Sequence, residues 1–217
     1  MSIVHERRWR WIAAVVAALL AAPSPRGWAQ EHTGSHCDPG TAPTPASATA
    51  DRLPMRYTVP DVQLVRADGA RVKFRQELEG GRPVVLNFIF TTCTAICPVM
   101  SQTLAKVQQR LGPDRERVRM LSVSIDPEQD TPERLAAYAK KFGAGAQWSF
   151  YTGTTEASIA LQKAFDVYRG NKMNHSPVTF VRTAPDRPWI RLEGLGNADA
   201  IVREVTPALA VSDRRHP

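Results

Sequence analysis

Seven consecutive residues, Val84-Val85-Leu86-Asn87-Phe88-Ile89-Phe90, constrain this chain more than any other segment, because six are apolar and none is charged. A strand with one wet face alternates apolar and polar side chains, whereas a strand covered on both faces reads as a nearly continuous apolar run. This segment is of the second kind, so other elements must cover both faces of its sheet. It runs straight into Thr91-Thr92-Cys93-Thr94-Ala95-Ile96-Cys97-Pro98. Beyond it, Cys97, Met100, Leu104, Val107 and Leu111 recur at spacings of 3, 4, 3 and 4, the stripe of an amphipathic helix that Gly112-Pro113 ends. A second buried-type strand, Val118 to Ile125, follows. The unit is β-α-β, which calls for parallel strands and a right-handed crossover.

The flanking segments extend this unit. Val62 to Val65 and Arg71 to Phe74 bracket Asp68-Gly69, a hairpin signal in which Gly supplies the positive φ of the turn. Thr131 with Pro132 at the first helical position opens a second helix, with Leu135, Tyr138, Ala139 and Phe142 inward and Gly143 as its stop. A short strand from Trp148 to Tyr151 and a helix from Thr155 to Asp166 come next. The chain closes with an antiparallel pair, Val178 to Arg182 and Trp189 to Glu193, and a helix from Asn197 with Ile201, Val202, Val205 and Leu209 inward. This order is that of a thioredoxin-like α/β fold, a central mixed sheet flanked by helices with an N-terminal β-hairpin. We place the domain at residues 57–210 and assign 211–217 to a disordered tail.

The first 29 residues read as a signal peptide: Arg7, Arg8 and Arg10 precede an apolar run from Trp11 to Ala22, and Gly27 and Ala29 fit a cleavage site. Twelve apolar residues fall short of the roughly 20 that span a bilayer, so a cleaved, periplasmic protein is expected rather than one tethered to the inner membrane. Residues 30–56, with Pro39, Pro43, Pro45 and Pro54 and no apolar periodicity, read as a flexible linker. The formal charge of +7 overstates the basicity of the exported part. Without residues 1–29 the chain keeps 24 Lys and Arg against 20 Asp and Glu, an excess of about 4 spread along the chain, which argues against nucleic acid as a partner. Three cysteines are too few for a disulfide framework and suggest one functional pair plus an extra thiol.

That pair is Cys93 and Cys97, between a buried strand and a helix start, at the carboxyl edge of a parallel sheet where α/β proteins keep their sites. An i, i+4 spacing in the first turn puts both sulfurs on one face, where they can close a disulfide or hold one metal ion. The helix N-terminus favours the thiolate, the reactive and ligating form. A third ligand is offered by His175, in the loop before Val178, which in this topology folds over the helix start. Two thiolates and one imidazole suit Cu(I), whereas a closed zinc site would want four protein ligands. Met173 could add a thioether, although we read it as a packing or exposed residue. Asp126, at the end of the second parallel strand, either orients a ligand or a basic partner beside the site or is a turn aspartate. Asp130 and Thr131 are assigned to capping of the next helix. His32, His36 and Cys37 are read as part of a solvated tail rather than as a copper-collecting site, because nothing holds them in place.

The segments Phe90-Thr91-Thr92-Cys93-Thr94-Ala95-Ile96-Cys97-Pro98, Ser124-Ile125-Asp126-Pro127-Glu128-Gln129-Asp130-Thr131-Pro132-Glu133 and His175-Ser176 resemble, in that order and spacing, the SCO/SenC family of copper chaperones for cytochrome c oxidase. The resemblance covers nearly the whole domain. It implies a thioredoxin fold in which Cys93, Cys97 and His175 bind one copper ion, as Cu(I) or Cu(II). It also implies a copper donor or thiol reductant in the periplasm, and delivery to, or reduction of, the dinuclear copper centre of cytochrome c oxidase subunit II. Three features depart from the family pattern. Asn174 stands where an Asp often precedes the ligand His, Thr183-Ala184-Pro185-Asp186-Arg187-Pro188 replaces a shorter turn, and a long membrane anchor is missing.

Two functions of different class follow, a copper-delivering chaperone and a thiol-disulfide oxidoreductase acting on the copper-receiving partner. The three-residue gap between the cysteines and the distant His175 favour the first, since redox proteins of this fold usually use Cys-x-x-Cys. No persuasive peroxidatic motif surrounds Cys93. Intact-mass measurement of the exported protein should place its N-terminus near Gln30; full-length protein found solely in membranes would make residues 1–29 an anchor.

Overall fold

All six residues from Val84 to Ile89 are buried, as a strand covered on both faces requires. The computed structural model describes residues 52–213, with side chains described through Ala210. The proposed signal peptide and most of the proposed linker, including His32, His36 and Cys37, lie outside the described residues. In chain order the elements are β1 (Arg52–Met55), β2 (Gln63–Arg66), β3 (Arg71–Lys73), α1 (Phe74–Glu77), β4 (Val84–Ile89), α2 (Ile96–Leu111), β5 (Arg119–Ser124), α3 (Pro132–Lys141), β6 (Trp148–Gly153), α4 (Thr155–Ala164), β7 (Val178–Arg182), β8 (Trp189–Glu193) and α5 (Ala198–Asp213). The strands form one mixed sheet in the order β1-β8-β7-β4-β5-β6-β2-β3. The expected α/β class with a central mixed sheet is what the chain adopts.

Strands β4, β5 and β6 are parallel neighbours, with Ile89 opposite Ser124, and β7 flanks β4 antiparallel, with Asn87 opposite Thr179. The period of 2 along β4 divides the core. Val85 and Ile89 face a cluster built with Leu104 and Val107 of α2, Leu135 of α3, and Ile201 and Val205 of α5. Val84, Leu86 and Phe88 face the other cluster, with Leu161 of α4 and an aromatic block of Phe74, Tyr151, Phe165, Phe180 and Trp189. In that block Phe165 lies 5.1 Å from Phe180 and 5.3 Å from Trp189, both edge-on, the arrangement that ring quadrupoles favour.

The local signals act where the sequence places them. Gly69 takes φ 86° in the β2–β3 turn, and Gly112 takes φ 53° to stop α2. Thr131 caps α3 by accepting the Arg134 N–H, with Pro132 in the first turn. Arg191, buried against the Phe180 ring, donates to the Phe165 carbonyl at 2.9 Å and anchors the loop that leaves α4.

Three boundaries differ from the sequence reading. Residues Arg52–Met55, placed in the linker, form an edge strand on β8, and Arg52 pairs with Glu204 of α5 at 2.6 Å. All four are exposed, so no apolar periodicity marks them, and an edge tolerates Pro54 because one side of the strand needs no partner. Phe74, read as the end of a strand, instead begins the short helix α1 and buries its ring beneath the sheet, 5.7 Å from Tyr151. The last helix runs to Asp213, three residues into the stretch read as a disordered tail. Among the described residues no helix is long and apolar enough to cross a membrane.

Phe180 is fully buried and touches the rings of Tyr57, Phe88 and Phe165. Phe180→Ala should lower the unfolding free energy by about 3–5 kcal/mol in urea denaturation, and a change below about 1 kcal/mol would show that this block does not hold the sheet.

Candidate metal centre

The carboxyl ends of β4 and β5 and the start of β7 meet at one edge of the sheet, because β7 runs antiparallel to the other two. Each brings one part of the site. From β4 comes the loop with Cys93, from β5 the segment with Asp126 and Asp130, and before β7 the turn with Lys172, Met173 and His175.

Cys93 lies in the loop, not in the helix as an i, i+4 helical pair would have it, and only Cys97 is helical. The two still meet, since the Cys97 N–H donates to Cys93 Sγ at 3.4 Å. Helix α2 has no side-chain oxygen at its N-cap, so this sulfur takes that role. Their environments differ. Burial pushes the Cys93 thiol up, but the backbone N–H groups of Cys97, Ala95 and Ile96 and the Cys97 thiol outweigh it, leaving Cys93 below the usual thiol range. Cys97 is fully buried, and burial, with the neighbouring Cys93 adding to it, pushes its thiol up to about 12. Beneath Cys97, the Ser101 hydroxyl and Tyr138 hydroxyl share a hydrogen bond of 2.9 Å.

Asp130 is not the helix cap expected of it. Its carboxylate is fully buried and accepts from the Thr91 N–H at 3.1 Å, the Thr91 hydroxyl at 2.5 Å and the Ser124 hydroxyl at 2.6 Å. It thereby ties the loop two residues before Cys93 to the end of β5. Thr131 alone caps α3, so the carboxylate beside it was surplus to helix capping, the one signal in the sequence that could have revealed its other task. Asp126, also buried, receives the Lys172 ammonium at 2.5 Å, and that ammonium sits 5.8 Å from the centre of the Phe90 ring. Lys172 was missed by sequence reasoning, since nothing local distinguishes it from a surface lysine. Its ion pair fastens the turn Lys172–Asn174 to the end of β5.

His175 follows that turn and is buried. Its Nε2 lies 3.0 Å from the Phe88 carbonyl oxygen. A carbonyl only accepts, so Nε2 carries the proton and Nδ1 the lone pair. Nδ1 is buried with no hydrogen-bond partner. Burial holds the ring below the usual imidazole range, and the approach of Arg169 adds to this against the pull of the Phe88 carbonyl. A neutral ring with one nitrogen fixed by a backbone carbonyl and the other free is the form in which histidine ligates metals. A cavity of about 160 Å3 is lined by Phe90, Cys93, Ile96, Lys172, Met173 and His175. Cys97 is not exposed to it. Among the described residues no three His, Cys, Asp or Glu side chains stand close enough together to hold a metal ion. The fold therefore joins Cys93 to Cys97, and Cys93 to His175 across one cavity, but leaves the three as an open set.

The SCO1/SenC family model matches residues 51–209, which takes in the whole sheet and every residue of the site. The chain belongs to the SCO1/SenC family. It is 33% identical over 107 residues to the SCO1 protein homolog of Bacillus subtilis, an alignment covering 49% of this chain and 54% of that protein, so the chain spans about half of this relative's length. Among solved structures it resembles BsSco, described as a member of the Sco family of cytochrome c oxidase assembly proteins in which a disulfide switch was identified. That match has a TM-score of 0.62 and 25% identity and covers 73% of this chain and 96% of that one. It resembles Arabidopsis thaliana ScoI, solved with copper bound, with a TM-score of 0.58 and 26% identity over 71% of this chain and 99% of that one. Of the departures from the family pattern, Asn174 is exposed on the turn before His175, and residues 183–188 connect β7 to β8 at the far end of β7 from His175.

The difference between the two thiols is directly measurable. On brief alkylation of the reduced protein near neutral pH, Cys93 should be modified faster than Cys97 by about tenfold or more, as peptide mass spectrometry would show. Equal rates would mean that Cys97 is not shielded as the structure has it.

Proposed function

We propose that this chain is an exported copper chaperone that binds one copper ion per domain through Cys93, Cys97 and His175 and delivers it to the dinuclear copper centre of cytochrome c oxidase subunit II. A periplasmic copper donor loads it, and nucleic acid has no part in this role. The observation that carries the reading is His175: a buried, neutral imidazole whose free Nδ1 finds no partner in the protein and which borders one cavity with a reactive thiol. The donor set fits the cargo, since thiolates and imidazole suit Cu(I) and the same ligands accept Cu(II). Membership of the SCO1/SenC family and the copper-bound ScoI structure support it.

Each residue then has a task. Cys93 meets the metal first because its thiol gives up its proton more readily and faces the cavity. Cys97 releases its proton when the metal ion takes that proton's place, and its burial keeps the resulting bond away from water. The Phe88 carbonyl holds the proton on Nε2, which keeps Nδ1 available. Asp126 acts beside the site through Lys172, whose ion pair holds the turn that carries His175.

The asymmetry of the thiols, with the disulfide switch identified in BsSco, supports a second role as a thiol-disulfide oxidoreductase. The Cys93 thiolate attacks a partner disulfide, forming a mixed disulfide and expelling one partner thiolate. Cys97 loses its proton and attacks Cys93 Sγ, which closes the Cys93–Cys97 disulfide and releases the partner as a dithiol. One pair cannot hold copper and exchange electrons at the same time.

His175→Ala separates the two. The variant should lose Cu(II) binding and hold Cu(I) more weakly, while its cysteines still form and exchange a disulfide, because thiolates alone can hold Cu(I) and exchange needs no distant ring. Cells carrying either His175→Ala or Cys93→Ser should lose oxidase activity, with partial recovery on added copper. Normal oxidase in His175→Ala cells and none in Cys93→Ser cells would replace the chaperone reading with the reductase reading.

A further inference from the structure

Among the large apolar side chains described, Met173 is the most exposed, with 73% of its surface open. Single exposed apolar residues are common and need no explanation. This one is placed differently. Its backbone stands on an ordered turn, with its N–H donated to Asn171 Oδ1 at 2.9 Å and the next residue back, Lys172, held by Asp126. It lines the cavity shared by Cys93 and His175, so an ion entering from solvent meets a thioether and a thiol there, and neither the buried Cys97 nor the buried Nδ1 of His175. A methionine that fills a core gap is buried, as Met100 and Met120 are at 2% and 0% exposure. Met173 fills nothing, and its sulfur is a soft donor that prefers Cu(I) to harder ions.

We propose that Met173 Sδ is a transfer ligand for Cu(I): with Cys93 it takes the incoming ion before Cys97 and His175 engage, and holds it again as the ion leaves. The inference rests on the copper reading above and adds a fourth donor to it. Chemically it is a ligand exchange. A bond from Cu(I) to the donor breaks as the bond to Sδ forms, the oxidation state does not change, and a thioether has no proton to lose, whereas each thiol must shed one. The ion therefore gains a protein ligand while Cys97 is still shut off from solvent. By reversibility the same contact serves release.

A ligand that binds only along the path stabilises the barrier and not the end state, so its removal slows uptake and release alike and leaves the dissociation constant in place. The test uses the full reduced chain without oxygen, a Cu(I)–bicinchoninate complex as copper source and excess bicinchoninate as acceptor, followed by stopped flow. Met173→Leu keeps the bulk and apolar surface and removes the sulfur, at a position too exposed to threaten folding. Both rates should fall by about tenfold, equivalent to about 1.4 kcal/mol, with the dissociation constant within about twofold of the native value. Met173→Gln should behave the same way, which ties the effect to sulfur and not to hydrophobicity. Unchanged rates in both variants would overturn the proposal. A weaker dissociation constant at an unchanged uptake rate would also overturn it, by making Met173 a resident ligand. If the native chain takes up no Cu(I) at all, the chaperone reading itself has failed, an outcome distinct from either.

Discussion

A buried carboxylate ties the loop that carries Cys93 to the fold. Asp130 has no solvent exposure, and an ionised group in such a place is tolerable only when hydrogen-bond donors surround it. Thr91 supplies two, its N–H and its hydroxyl, and Ser124 the third. Those donors sit on the segments that leave β4 and β5, so satisfying the charge and closing the gap between the two strand ends are one event. Replacing only one partner would leave a buried polar group unmatched, a larger loss than the hydrogen bond alone is worth. The loop carrying Cys93 therefore owes its position to a residue 37 places away in sequence that touches neither sulfur by hydrogen bond.

A second tether of the same kind works from the other side. Asp126 leaves β5 four residues before Asp130 and captures Lys172, so the loops from β4 and toward β7 are both referred to the end of one central strand. The strand itself is fixed in register between β4 and β6 and covered on both faces. Cys93 and His175, far apart in sequence, are thus brought to one cavity by two carboxylates on one segment, while the turn of β7 into β8 lies at the other end of the sheet.

How much of this was legible follows from which interactions are local. The strand Val84–Ile89 and the helix Ile96–Leu111 could be read because burial on both faces, or on one stripe, writes itself into the periodicity. Gly112 and Thr131 could be read because stop and cap signals act within a turn or two of themselves. Strand Arg52–Met55 could not, since it is exposed and held by backbone hydrogen bonds that any side chain permits. The cysteine pair and His175 were visible as types at suggestive places. What joins them was not: Asp130 looked like part of a helix cap, and Lys172 like an ordinary surface cation, because their partners lie 39 and 46 residues away.

The state of the three proposed ligands in the folded chain bears on the kind of metal site they would form. A structural site gathers its ligands as it folds, and the metal becomes part of the core. Here the folded chain places one thiol in a cavity, the second behind it out of solvent, and the imidazole across the cavity with its lone pair unmatched. Leaving Nδ1 buried and unpaired costs stability that a hydrogen bond would have recovered, and nothing in the aromatic block or the helices requires that cost. A ligand that satisfies Nδ1 recovers it, while drawing the open set together spends part of the gain on moving the tethered loops. Binding strength is then the difference of two opposed quantities, smaller than a preassembled site of the same donors would give. An ion held by such a difference can be taken and also given up, which the proposed carrier role requires and a structural site does not.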